Sequence, residues 1–286
     1  MTFPLNADLH CHSTTSDGTL TPEQLAARAA ANGVDLWALT DHDEVGGQQK
    51  ALEAARAQGM KYLTGVEISV TFADVTVHIV GLGFDHTDPR MTEGLADTRD
   101  GRGPRARAMA EQLAQVGIHG AYEGALKYVG NPRLISRTHF ARFLVDSGVC
   151  RDTSEVFRKF LTEGKPGYVP HRWAKLGDAV KWITQSGGVA VIAHPARYKF
   201  TPNEEYALFS EFKQHGGQGG QDSSSVHGLI VAPGNGHGFG RRFVIKNASG
   251  ACQASASSYA NNSNRGCANQ GCTSCSMRRR SARWRF

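Results

Sequence analysis

Along its first 98 residues the chain repeats one pattern: an apolar run of strand length ends in metal-competent residues, and an amphipathic stretch at helical spacing follows. Asp8-Leu9-His10-Cys11-His12-Ser13 opens the series, and its alternation places Asp8, His10 and His12 on one strand face and Leu9 and Cys11 on the other. Thr21-Pro22-Glu23-Gln24 predicts a helix start, with Thr21 as N-cap, Pro22 at the first position and Gln24 closing a capping box. That helix ends at Gly33. Val34 to Thr40 is the next apolar strand and delivers Asp41, His42 and Asp43 at its C-terminal end. A second helix, Gly47 to Gln58, precedes the strand Tyr62 to Val70, which carries Glu67, and the strand Val75 to Phe84, which carries His78. A lone Glu buried in an apolar strand costs several kcal/mol unless something pairs with it, and a metal ion is a ready partner.

From about Arg99 the pattern changes to helices with little strand signal. Arg99, Arg102, Arg105 and Arg107 precede an amphipathic stretch ending at Gly117, and Asn131 to Phe140 leads into a helix that stops at Gly148. This reads as a helical insertion. An arginine run by itself describes a solvated helix face, but beside a metal cluster the guanidinium fork of Arg102, Arg105 and Arg137 suits phosphate. Gly164 to Pro170 returns the chain to the first pattern: helix Leu176 to Ser186, strand Val189 to Ala193 ending in His194-Pro195, and a last helix from Pro202 to His215.

Composition changes the picture in one place. With 286 residues, 40% apolar and 20% charged, the chain is of ordinary globular type. Its net charge of +6 is unevenly placed: from Gln218 onward there are nine Lys/Arg and one acidic residue, against 23 basic and 25 acidic before it. Cys11 and Cys150 are isolated in the body, so no disulfide framework is implied. No leader pattern opens the sequence and no apolar run approaches the roughly 20 residues of a membrane span, so a cytoplasmic protein is expected.

These residues carry a family resemblance. Asp8 to Ser13, Ser16-Asp17-Gly18, Thr40 to Asp43, Gly65-Val66-Glu67, His78 and Ala193-His194-Pro195 resemble the successive motifs of the PHP (polymerase and histidinol phosphatase) domain over residues 5–217. Ile135 to Arg142 and Gly164 to Val169 resemble one branch, the 3′,5′-nucleoside bisphosphate phosphatases and the related 5′-to-3′ exoribonucleases of short RNA. The resemblance implies an α/β fold, a distorted (β/α)7 barrel with an inserted small helical domain. Barrel segments 1–98 and 173–217 would flank the insert 99–172, which caps the mouth. It implies up to three divalent metals, most often manganese: His10, His12, Glu67 and His194 on the first, Glu67 bridging to a second with His78, and Asp17 with His42 at a third. Mixed imidazole and carboxylate ligands independently suit Mn, Fe or Zn. The implied activity is removal of the 3′-phosphate by metal-bound hydroxide. Asp17 and His42 would act at the reacting phosphate, and Arg102, Arg105, Ser136 and Arg137 would hold the phosphate left on the product. The alternatives are a 5′-to-3′ exoribonuclease and a metal-binding scaffold without catalysis. Partners are then a nucleotide or short RNA, with no membrane and no stable protein partner.

The segment 218–286 departs from this pattern. The family's late Asp-X-His is missing, and Asp222 is the one acidic residue there. Periodicity fades from Gly219, and Ala251 to Ser258 and Tyr259 to Gln270 match no recognisable element, as an out-of-frame translation from near Gln218 would read. One or two metals, unpaired barrel edges and weak catalysis are then expected. A zinc site from Cys267, Cys272, Cys275 and His237, with Arg278-Arg279-Arg280, Arg283 and Arg285 gripping nucleic acid, is the competing reading.

Overall fold

A computed structural model describes residues 5–222, 228–231 and 244–245. Strands β1 (Ala7–Asp8), β2 (Leu36–Leu39) and β3 (Lys61–Phe72) are parallel neighbours. Helices α1 (Pro22–Ala31) and α2 (Gln48–Ala57) make the crossovers between them. The expected start of α1 is present, with the Thr21 side chain accepting from the Gln24 amide and the Gln24 side chain accepting from the Thr21 amide. Leu25, Trp37, Leu39 and Ala51 are fully buried between these helices and the sheet. Each large member contributes about 1.5–3 kcal/mol.

The regular crossover fails once. β3 turns directly into β4 (Val75–Leu82) through Ala73 and Asp74, both at positive φ (+47° and +59°). Two successive positive-φ residues match the twist of a tight hairpin, so β3 and β4 are antiparallel, as are β4 and β6 (Val189–Ile192). A short β5 (Ala174–Lys175) pairs beside the far end of β3. The sheet is therefore a mixed, curled half-barrel, and the antiparallel β3–β4 and β4–β6 pairs are what distort the expected barrel. Its curl is visible in packing: Ala7 of β1 and Val191 of β6, which are not neighbours in the sheet, share a buried cluster with Ala38 and Val80. Outside the curl, α3 (Pro89–Asp100), α8 (Leu176–Gln185) and α9 (Pro202–Gln214) cover β3, β4 and β6 through Met91, Leu95, Val180, Ile183 and Phe212.

The insert has its own core. Helices α4 (Arg102–Gln115), α5 (Ala121–Leu126), α6 (Arg137–Asp146) and α7 (Thr153–Val156) bury Met109, Leu113, Phe140, Leu144 and Leu161 together. Beyond Gln218 the loss of periodicity predicts no strands, yet the sheet continues there. β7 (Gly219–Asp222) lies parallel to β6, and β8 (Gly228–Val231) and β9 (Val244–Ile245) follow antiparallel. Among the described residues no helix is long and apolar enough to cross a membrane.

Candidate metal centre

The first cluster leaves its strand early. β1 pairs only through Asp8, so His10 and His12 stand on a segment past the ladder, held to the end of β2 by the Cys11 amide on Thr40 Oγ1 (3.0 Å) and the Thr40 amide on the Cys11 carbonyl (2.9 Å). The alternation survives, with Leu9 and Cys11 buried and His10 and His12 half-buried. Asp8 does not join the imidazoles' cluster. Its carboxylate is buried, and burial raises its pKa to about 6 against the opposing pull of the His10 amide and imidazole.

The next segment, Ser13 to Gly18, is a tight loop pinned by Asp41, which accepts from the Ser13 amide (2.7 Å), the Ser13 hydroxyl (2.6 Å) and the Ser16 hydroxyl (2.6 Å). Gly18 is obligatory there, because a Cβ would stand 2.0 Å from the His12 carbonyl oxygen. Asp43 faces the other way and accepts from the Ser69 amide (2.6 Å) and hydroxyl (2.9 Å). Of the polar triplet after β2, only His42 turns into the site, where it pairs with Glu67 through an isolated backbone bridge.

Glu67 is the hub. It is 1% exposed, and among the described residues five imidazoles converge on it. Its Oε2 lies 3.0 Å from His10 Nε2, 3.0 Å from His12 Nε2 and 3.4 Å from His42 Nδ1. Its Oε1 lies 3.1 Å from His78 Nδ1 and 3.0 Å from His194 Nε2. His194, at φ +32° just before Pro195, therefore shares the Oε1 side with His78, 3.2 Å away, while His10 and His12 take the Oε2 side. Asp17 lies beside His12 and His42.

The electrostatics follow from crowding. Burial opposes the charge on Glu67, but the imidazoles of His10, His42 and His78 hold its carboxyl well below the usual range. Asp17 is likewise held low against burial by His42 and His12. Burial lowers His42 to about 3 and His194 to about 4, whereas Glu67 outweighs burial at His12 and raises it to about 9.

These residues fit divalent cations. One atom each from His10, His12 and Glu67, from His12, Asp17 and His42, and from His42, Glu67 and His78 lies within 4.8 Å of the others in its group. Asp17 Oδ1 is buried without a hydrogen-bond partner among the described residues. A buried carboxylate with imidazoles on both of its oxygens is suited to hold divalent cations together with those imidazoles.

The arginines of α4 and α6 gather near one another. Arg102 forms a buried ion pair with Asp43 and lies 4.7 Å from the Trp173 ring centre. Arg105 lies 5.4 Å from the same ring and donates Nε to the Val169 carbonyl at 3.0 Å. Burial, together with the charges of Arg137 and Arg102, lowers Arg105 to about 9. Arg137 donates to the Leu161 carbonyl (3.3 Å) in the first turn of α6. Ser136 caps that helix and donates its amide to His139 Nδ1 (3.0 Å). The sequence reading did not find Tyr198, whose hydroxyl accepts from the His78 amide at 2.9 Å, or Trp173, Thr138 and Arg142. Thr138 and Arg142 lie in the Ile135 to Arg142 motif but received no role there, because their contacts and that of Tyr198 span 120 to 125 residues. His237, Cys267, Cys272, Cys275 and the arginines from Arg278 lie outside the described residues, as do Ala251 to Gln270.

A curled α/β sheet whose strand ends gather imidazoles around one buried carboxylate has the make-up of a metal-dependent hydrolase. Residues 8–144 match the family model of the PHP domain. The chain is 52% identical over 224 residues, 78% of its length and 79% of the relative's, to a 3′,5′-nucleoside bisphosphate phosphatase of Chromobacterium violaceum. It is 42% identical over 212 residues, 74% of its length and 77% of the relative's, to a 5′-3′ exoribonuclease of Haemophilus influenzae. Among solved structures, a Chromobacterium violaceum amidohydrolase with bound sulfate and no metal superposes with a TM-score of 0.74 at 53% identity, covering 76% of each chain. The chain belongs to the PHP family.

Proposed function

We propose that this protein is a manganese-dependent phosphatase that removes the 3′-phosphate of nucleoside 3′,5′-bisphosphates. The observation that carries the reading is the pairing of two features: the imidazole cluster around Glu67, and the insert's Arg105 and Arg137, which lie close enough to Arg102 for their charges to act on one another, while Arg102 is itself anchored on Asp43, the neighbour of His42. The first suits the phosphate that reacts, the second the phosphate that stays. Its relative of 52% identity is named for this reaction, and a related structure was solved with sulfate bound.

In this reading His10, His12, Glu67, His78 and His194 hold the metals, with Asp17 and His42 at a third position beside the reacting phosphate. When bound, such ions generate a nucleophile from water at neutral pH and neutralise developing charge on phosphate. The chain's own residues do the rest. Glu67 keeps its negative charge because the surrounding imidazoles favour it. Arg105 and Arg137 orient the retained phosphate with Ser136 at the N-terminus of α6, where the helix dipole favours an anion. Arg102, anchored on Asp43 and packed on Trp173, would add its charge to the retained phosphate's site beside Arg105.

The relatives of 42% identity make a 5′-to-3′ exoribonuclease the second reading. Purified protein is assayed with manganese for phosphate release from adenosine 3′,5′-bisphosphate and for mononucleotide release from a 5′-phosphorylated oligoribonucleotide. Faster turnover of the bisphosphate supports the phosphatase. Faster turnover of the oligonucleotide overturns it in favour of the nuclease, and silence on both leaves a metal-binding scaffold.

A further inference from the structure

The loop Ser13 to Gly18 carries Asp17 and is gripped from two sides. From the barrel, Asp41 holds Ser13 and Ser16. From the insert, helix α6 does the same work with different groups. The Thr138 hydroxyl donates to Asp17 Oδ2 at 2.9 Å. Arg142, one turn further along the same face, donates to the backbone carbonyls of Asp17 and Gly18. Asp17 itself is 6% exposed. With Oδ2 occupied by Thr138, its second oxygen, Oδ1, is left buried and without a hydrogen-bond partner among the described residues, on a carboxylate grouped with His12 and His42.

A carboxylate on a short loop can rotate about two torsions, and each wrong rotamer takes its oxygen away from a cation. A donor on one oxygen and two clamps on the backbone remove that freedom before any ion arrives. We infer that Thr138 and Arg142 are positioning residues for the metal position of His12, Asp17 and His42, so that the insert aims a metal ligand as well as covering the mouth. This rests on the reading of Asp17 as a ligand. It also ties the two halves of the site together, because Arg137, proposed to hold the retained phosphate, is the neighbour of Thr138 in the same helical turn. Hydrogen-bonding partners of metal ligands change metal affinity by about ten- to a hundredfold when removed.

The test is a manganese titration of the chelator-stripped chain, read by electron paramagnetic resonance, on the wild type, Asp17→Asn, Thr138→Val, Thr138→Ser and Arg142→Met. Asp17→Asn is expected to lose one manganese position. Thr138→Val is expected to weaken that same position by about ten- to a hundredfold, with kcat lowered and KM for the bisphosphate unchanged, since Arg105 and Arg137 are intact. Thr138→Ser keeps the hydroxyl and should restore both. Arg142→Met, which keeps the stem but not the clamps, should repeat the weakening and guards against a Thr138→Val chain that fails to fold. Wild-type manganese binding by both Thr138→Val and Arg142→Met, with Asp17→Asn still losing a position, overturns the positioning role alone. Equal weakening at every position in those variants also overturns it, as general loosening. Full manganese content in Asp17→Asn overturns the ligand reading and the inference with it.

Discussion

Asp43 and Arg102, 59 residues apart in the chain, meet as a buried ion pair that joins the end of β2 to the first turn of the insert's α4. Burial disfavours the carboxylate, but the guanidinium and the Ser69 amide hold Asp43 below its ordinary pKa. Removing one partner of such a pair leaves an uncompensated charge in the interior. Arg102→Met is therefore expected to lower stability by about 3–5 kcal/mol, measured by urea denaturation. A loss below about 1 kcal/mol would show that water reaches Asp43.

Glu67 faces imidazoles with both oxygens, so its charge, not its shape, is what the cluster requires. Glu67→Gln keeps the shape. It should lower bound metal, counted by elemental analysis, and reduce turnover at least about a thousandfold, while circular dichroism shows an unchanged fold. Full metal content in this variant would contradict a bridging role.

Arg137 sits at the head of α6, where the retained phosphate is proposed to bind. A charge-assisted hydrogen bond is worth about 1.5–3 kcal/mol, so Arg137→Ala should raise KM roughly ten- to a hundredfold with metal content intact. An unchanged KM would return Arg137 to packing against Phe157, 5.8 Å from its guanidinium.

His139 supplies a pH dependence inside the insert. It is fully buried, and burial lowers its pKa from 6.5 to about 4. Between those values the unfolded chain takes up a proton that the folded chain refuses, so this contribution is complete above pH 6.5 and is lost as pH falls toward 4. The full loss is about 3 kcal/mol. His139→Asn keeps an acceptor for the Ser136 amide and does not titrate. Between pH 7.5 and 4.5 it should lose less stability than the wild type by somewhat under that amount in urea denaturation; parallel losses would mean that His139 takes up its proton in the folded chain as readily as in the unfolded one.

Much of the site was legible in the sequence because its signal is local. A lone Glu or His in an apolar strand is conspicuous, and strand period two and the capping box of Thr21 and Gln24 are read from neighbours alone. Those features determined the strand ends and the helix starts, while the grouping of His10, His12, Asp17, His42, Glu67, His78 and His194 in one site came from the resemblance of their motifs to the PHP domain. What only the tertiary structure decided is which partner each polar group finds. Asp41 and Asp43 flank His42 and look like ligands in the sequence, yet the pleat turns them away, one to the Ser13–Gly18 loop and the other to Ser69 and Arg102. The turn at Ala73-Asp74 carries no glycine or asparagine, so the hairpin that breaks the parallel order has no strong local mark. The short strands after Gln218 take their place from the free edge of β6, which offers backbone partners to a segment whose side chains carry no period. Thr138 and Arg142 reach Asp17 across 121 and 125 residues, and only the docking of α6 on the barrel brings them there.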